Sequence, residues 1–124
     1  MMMPRYRLVW LLCWLTISAA SWTLAETRPG HINRGQALYQ QHCLQCHGAT
    51  LDGNGPKAAS LRVRPTNFHT YLSRVKGDLE LEVTIRRGKA STAMHEWGTA
   101  LTDEDVSDLV AYIRSAVPHL EVKP

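Results

Sequence analysis

Cys43-Leu44-Gln45-Cys46-His47 is the segment of this 124-residue chain whose residue types and spacing are poised for chemistry. Positions i and i+3 share one side of a helical turn. Two thiols so placed can each form a thioether to a vinyl group of one porphyrin. The residue that follows, His47, is then held where its imidazole can bind iron as a proximal ligand. Cys-x-x-Cys-His therefore reads as a c-type haem attachment site. Other chemistries match the pattern less well. A redox dithiol would follow a strand in a βαβ unit, and no such unit is visible. Structural zinc needs four ligands, so two of His42, His47, His69 and His95 would have to join at unusual spacing. A plain disulfide between Cys43 and Cys46 is compatible with an oxidising compartment.

Haem iron has a second axial position. Met94 is the one methionine beyond residue 25, and it follows the Gly/Ala/Ser/Thr-rich stretch Gly88 to Ala93, which can loop over the haem. A lone methionine is ordinarily a core gap-filler. As an iron ligand beside His47 it would raise the reduction potential. The rival ligands are His69 and His95, and His95 could not bind at the same time as its neighbour Met94. His31, His42 and His119 are expected on the surface.

These residues must be positioned by helices. Asn33 with Gln36 resembles a capping box, opening a helix over about Arg34 to Cys46. Gly35 in its first turn weakens that helix by roughly 1 kcal/mol, which suggests a close-packing role. Gly48 to Asn67 is loop, with one helical turn near Lys57 to Leu61, and residues 68–76 hold a short helix. In Asp78 to Gly88, Leu79, Leu81, Val83 and Ile85 alternate as a strand would. They also form two i,i+4 pairs, with Asp78 as N-cap and Gly88 as stop. No matching partner strand exists, so helix is preferred. The last helix is the clearest. Thr102 caps it, Asp103, Glu104 and Asp105 fill its first turn, Val106, Leu109, Val110, Ile113 and Val117 mark its apolar face, and Pro118 ends it. The expected fold class is all-α.

Residues 1–25 read as a secretory signal, with Arg5 and Arg7 before the apolar run Leu8 to Ala20 and small residues at a cleavage site ending in Ala25. The run is too short for the roughly 18–20 residues of a membrane span, so an uncleaved anchor is the minority reading. Residues 26–124 then form one domain. The whole chain has 14 Lys and Arg against 11 Asp and Glu, a net of +3. Without residues 1–25 it keeps 12 basic and 11 acidic residues, two cysteines, one methionine and one tryptophan, Trp97. Near-neutral charge without a Lys/Arg block excludes a nucleic-acid partner. So few large apolar residues suggest that a haem completes the core.

Taken together, residues 32–117 resemble a class I c-type cytochrome, a bacterial mono-haem protein of the cbb3-oxidase and c6-like branch. Gly35 and Tyr39 match the family's N-terminal helix, and Leu109-Val110-Ala111-Tyr112-Ile113 matches the C-terminal helix that crosses it. Gly55-Pro56 resembles the Gly-Pro whose proline carbonyl accepts a hydrogen bond from the proximal histidine. Arg64-Pro65-Thr66-Asn67-Phe68 and Met94 to Trp97 match the same branch, except that His95 stands where proline is usual. The resemblance implies a cytochrome c fold of three to five helices wrapped around one covalently attached haem c, with iron held by His47 and Met94. Trp97 would pack at the haem edge, hydrogen-bond a propionate, or simply fill the core. Arg62 and Arg64 would neutralise propionates or remain solvated.

The implied function is transfer of single electrons between redox protein partners, a donor and an acceptor, in the periplasm. No Ser/His/Asp arrangement, paired carboxylates or phosphate loop points to an enzyme. Two other roles stay open: a haem subunit bound to an exported dehydrogenase, and a haem ligand-binding or sensor protein if Met94 is not an iron ligand. Residues 57–89 carry a net of +5 and residues 90–124 a net of −4, a dipole that would orient a charged partner.

Overall fold

The protein is described by a computed structural model over residues 31–122. The expected signal segment, 1–25, lies outside the described residues. In chain order the elements are α1 (Ile32–His42), α2 (Leu44–His47), a 3₁₀ turn (Ala58–Ser60), α3 (Tyr71–Arg74), α4 (Asp78–Arg87) and α5 (Asp103–Ala116). No strand occurs among the described residues, so the ambiguous run Leu79 to Ile85 is helical.

The expected single helix from Arg34 to Cys46 is divided in two at Cys43, whose φ of −113° departs from helical geometry. The expected Asn33–Gln36 capping box does not form; His31 is the N-cap and its side chain makes no cap bond. The cap comes from elsewhere. Asp108 Oδ1 on α5 accepts the His31 backbone N–H at 2.7 Å, and its Oδ2 accepts from Arg34 Nη1 at 3.0 Å. A charged carboxylate delivered by a crossing helix is a stronger acceptor than the glutamine amide of the expected box.

That crossing depends on Gly35. A Cβ there would lie 1.9 Å from the Asp108 carbonyl oxygen and 2.9 Å from Tyr112 Cβ. Backbone meets backbone, so no larger residue can occupy the contact. Around it Tyr39 packs on Tyr112 with ring centroids 5.3 Å apart. Val106, Leu109, Val110, Ile113 and Val117 are buried along the face of α5 that their spacing marks. The Tyr39 hydroxyl donates to the Gly48 carbonyl at 2.7 Å, which fastens the end of α2 to α1. Burial raises its pKa well above the ordinary tyrosine value.

Of the two apolar pairs on α4, Leu81 and Ile85 pack inward on the core, while Leu79 and Val83 are exposed. Asp78 is the first residue of α4, not its cap; Gly77 takes that place. The Asp78 carboxylate is occupied by Arg114 Nε at 2.6 Å, which explains why it does not fold back on its own helix. Gly88 ends α4 as expected, at φ +67°. The α5 cap is formed by Thr102, whose hydroxyl accepts the Asp105 N–H while the Asp105 carboxylate accepts the Thr102 N–H at 2.9 Å.

After α5 the chain returns across α3. Leu120 N–H donates to the Arg74 carbonyl at 2.9 Å, and Arg74 Nε donates to the Pro118 carbonyl at 3.0 Å. The Lys76 carbonyl accepts from Arg114 Nη2, with His119 Nδ1 3.1 Å away. This strap holds the α3–α4 turn in place.

Candidate haem site

α2, the loop at 61–68, the α3–α4 turn and the loop at 92–97 enclose an open cavity of about 1100 Å³, mouth included. Cys43, Cys46, His47, Met94 and Trp97 all line it. Residues 47 positions apart in sequence are thus brought to one cavity.

Each wall has a local cause. The His47 ring stacks against Phe68 at a centroid distance of 5.2 Å. Its Nδ1 lies 3.3 Å from the Thr66 carbonyl, a long hydrogen bond that leaves Nε2 with the lone pair. Burial lowers the His47 pKa, opposed by that carbonyl, which favours the neutral ring that a metal requires. The facing carbonyl is Thr66 where the resemblance pointed to Pro56. Pro56 is exposed and does not line the cavity. Its neighbours serve the back of α2: Gly55 N–H donates to the Cys46 carbonyl at 3.1 Å and Lys57 N–H to Gln45 at 2.8 Å.

The two thiols are not joined in a disulfide. Burial, and then the neighbouring Cys46, push the Cys43 thiol up to about 12. A reactive thiol works through a lowered pKa, so Cys43 does not have the electrostatics of a redox nucleophile. Among the described residues no three His, Cys, Asp or Glu side chains converge as a zinc site would need.

Met94 is half-buried on a loop tied tightly to the end of α4. Lys89 N–H donates to the Met94 carbonyl at 2.8 Å, Met94 N–H to Thr92 Oγ1 at 3.1 Å, and Trp97 N–H to the Ile85 carbonyl at 3.2 Å. Gly88 makes this possible. A Cβ at that residue would come within 2.6 Å of the Met94 carbonyl oxygen. The rival His69 is outside the cavity, its Nε2 2.7 Å from the Thr50 carbonyl. His95 does line the cavity, and its ring lies 4.2 Å from that of Trp97. His42, expected on the surface, is instead half-buried in the cavity wall, 5.0 Å from Trp97 on centroids. Trp97 packs on the core as well as lining the cavity. Arg64 lines it with Nη1 bonded to Asn54 at 3.2 Å, whereas Arg62 does not.

Comparison with known proteins gives this arrangement its family. Residues 30–113 match the family described as cytochrome C oxidase, cbb3-type, subunit III. The chain belongs to this family of c-type cytochromes. This cytochrome is also 40% identical over 85 residues to a dihydro-heme d1 dehydrogenase of Pseudomonas aeruginosa, a match that covers 68% of this chain and 15% of that relative. It therefore spans only a small part of the curated relative's length. Among solved structures, it resembles a Kuenenia stuttgartiensis reducing HAO-like protein complex at TM-score 0.61 and 25% identity, covering 73% of this chain and 47% of the other. It also resembles the KustC0563 c-type cytochrome at TM-score 0.55 and 30% identity, covering 67% and 96%.

The all-α fold is thus the cytochrome c fold, and the cofactor is covalently bound haem c with its iron. The cavity's donor set suits it: two thiols, an imidazole and a thioether among apolar side chains. Several lining residues carry no sequence signal. Leu81 and Ile85 resemble any core pair. Thr66 contributes only a backbone carbonyl. Ser73 is a lone serine in a short helix, and nothing in the primary structure tells it from a surface residue.

Proposed function

We propose that this cytochrome carries single electrons between periplasmic redox proteins, with iron ligated by His47 and Met94 and the porphyrin joined to Cys43 and Cys46. The observation that carries this reading is the convergence of those four side chains on one cavity, with Met94 on a loop fastened by its own backbone. Bound there, haem c supplies a reversible one-electron iron couple. Around it, the protein's tasks are to hold and to exclude. The Thr66 carbonyl fixes the His47 tautomer and strengthens its donation. The Lys89–Met94 hydrogen bond and Gly88 fix the loop that carries the Met94 thioether, which would hold the iron together with His47 and exclude added ligands. Leu81, Ile85 and Phe68 give the cavity apolar walls. None of these groups acts as a general base or nucleophile, which favours electron transfer over catalysis.

The dipole read from sequence is partly cancelled within the fold, because Arg86 pairs with Asp103, and Arg34 with Glu104 and Asp105. Lys76 pairs with Glu80 at 2.8 Å. Exposed basic residues such as Arg64 and Lys89 remain at the cavity rim to meet a partner. No helix among the described residues is long and apolar enough to cross a membrane.

The absorption spectrum tests the reading. Haem should stay with the polypeptide after denaturation, and a weak far-red sulfur-to-iron band should be present in the ferric protein. Loss of haem on denaturation refutes the attachment. Rapid carbon monoxide binding by the native ferrous protein would refute Met94 ligation.

A second reading is supported by the relative named a dehydrogenase, in which the matched portion is 15% of a longer chain. On that reading this cytochrome is the separate haem subunit of such an enzyme. Gel filtration of native extract separates the two: a free carrier elutes near its monomer mass, a subunit with its complex.

A further inference from the structure

Ser73 is 4% exposed and lines the haem cavity, and its hydroxyl has no hydrogen-bond partner. It is the one buried side-chain polar atom among the described residues in that condition. A buried hydroxyl left unpaired costs roughly 1–3 kcal/mol, so its position calls for a partner that the chain itself does not supply. Its placement is firm. Thr70 caps α3 by accepting the Ser73 N–H, through its side chain at 3.3 Å and its carbonyl at 3.1 Å. The Thr70 hydroxyl is held in turn by the Asn67 carbonyl at 3.0 Å. The strap from Pro118 to Leu120 fixes the adjoining Arg74 and Lys76.

The cofactor narrows the choice of partner. The periphery of haem c is hydrocarbon and thioether except for two carboxylates, and these must be hydrogen-bonded wherever they are taken out of water. The cation in the same turn, Lys76, is already committed to Glu80. We propose that the Ser73 hydroxyl donates a hydrogen bond to a propionate carboxylate of the haem, so that α3 anchors the cofactor at a point the covalent attachment does not reach. This rests on the haem occupying the cavity as described above. Ser73 is a positioning residue: it holds the group and tempers its charge, and takes no part in ligating iron.

The holoprotein with Ser73→Ala tests the anchor, with Ser73→Thr as its conservative partner. A donor to an ionised carboxylate spreads its charge and lowers its pKa. In Ser73→Ala the reduction potential should therefore fall at a pH where the propionate is ionised in both proteins, because its less dispersed negative charge near the iron favours the ferric state. The propionate-linked break in its pH dependence should move to higher pH. The propionate bending band in the resonance Raman spectrum should shift on deuteration in the wild type and not in Ser73→Ala. Ser73→Thr should keep the wild-type behaviour in all three. An unchanged potential, break and band in Ser73→Ala overturns the proposal. So does a change accompanied by loss of the far-red sulfur-to-iron band that Ser73→Thr fails to restore, since that describes general loosening. Wild-type protein that releases haem on denaturation refutes the haem attachment itself, an outcome distinct from any of these.

Discussion

Asp108 Oδ1 accepts the backbone N–H of His31 at 2.7 Å from a position 77 residues further along the chain. The N-terminal helix is therefore capped by a side chain of the C-terminal helix, and neither end of the crossing is complete without the other. The carboxylate is 1% exposed, and Arg34 supplies its counter-charge at 3.0 Å. Asp108→Ala removes the cap and the charge partner together. It should lower the stability of the holoprotein by about 2–3 kcal/mol, read by guanidinium unfolding. Arg34→Met should also be destabilising, because it leaves the buried Asp108 carboxylate without its counter-charge even though the His31 N–H bond is kept.

Gly35→Ala probes the same crossing from its other side. With 1.9 Å between the new Cβ and the Asp108 carbonyl oxygen, the helices must separate and the core behind them must loosen. Overpacking of this kind costs about 1–3 kcal/mol. The thermal midpoint should fall accordingly while haem remains covalently attached, since Cys43 and Cys46 are not at the contact.

Gly88→Ala should act on the cofactor's ligation more than on the fold. The residue has φ +67°, and its Cβ would meet the Met94 carbonyl oxygen at 2.6 Å. The loop must shift to relieve the contact, carrying the thioether with it. The far-red band should weaken or vanish and carbon monoxide should bind the ferrous protein, while far-ultraviolet circular dichroism remains near wild type. Met94→Ala should give the same spectral result without backbone strain.

Acid should weaken the C-terminal helix through its cap. Hydrogen bonds from the Thr102 side chain and backbone, with the charge of Arg34 added, hold the Asp105 carboxyl below the usual carboxylate value. A depressed pKa contributes stability that is fully present above the unfolded value near 4 and is lost as pH falls through the lower folded value. Asp105→Asn should therefore flatten the acid limb of the stability profile, and Thr102→Ala should cost about 1 kcal/mol at neutral pH. Equal acid sensitivity in Asp105→Asn and wild type would count against the cap.

The parts of this molecule legible in sequence are those set by local pattern. The apolar spacing of α5 and its Thr102 cap, the stop at Gly88, and the Cys43–His47 motif all depend on residues within a few positions of one another. Gly35 was also readable, because a glycine in a first helical turn needs a reason and the crossing provides it. What escaped were pairings made by the tertiary fold. The cap of α1 comes from Asp108 rather than Gln36, and the Asp78 carboxylate is taken by Arg114 before it can cap α4. The carbonyl beside His47 belongs to Thr66 rather than Pro56. Backbone carbonyls look alike in every sequence, so only the path of the loop decides which one arrives. His42 was misjudged for a related reason: a polar residue at a helix end looks solvated until Trp97 is seen to cover it.

The strap from Pro118 to Leu120 ties one wall of the cavity to the far end of the domain. The residues that fasten Arg74 and Lys76 lie far beyond Cys43, Cys46 and His47 in the chain. Without them the segment that bears Ser73 keeps only its local hydrogen bonds to Thr70 and Asn67. The stretch between the thiols and the strap is thus closed into a ring around the cavity, and opening that ring at Pro118 to Leu120 frees the wall without touching the thiol motif.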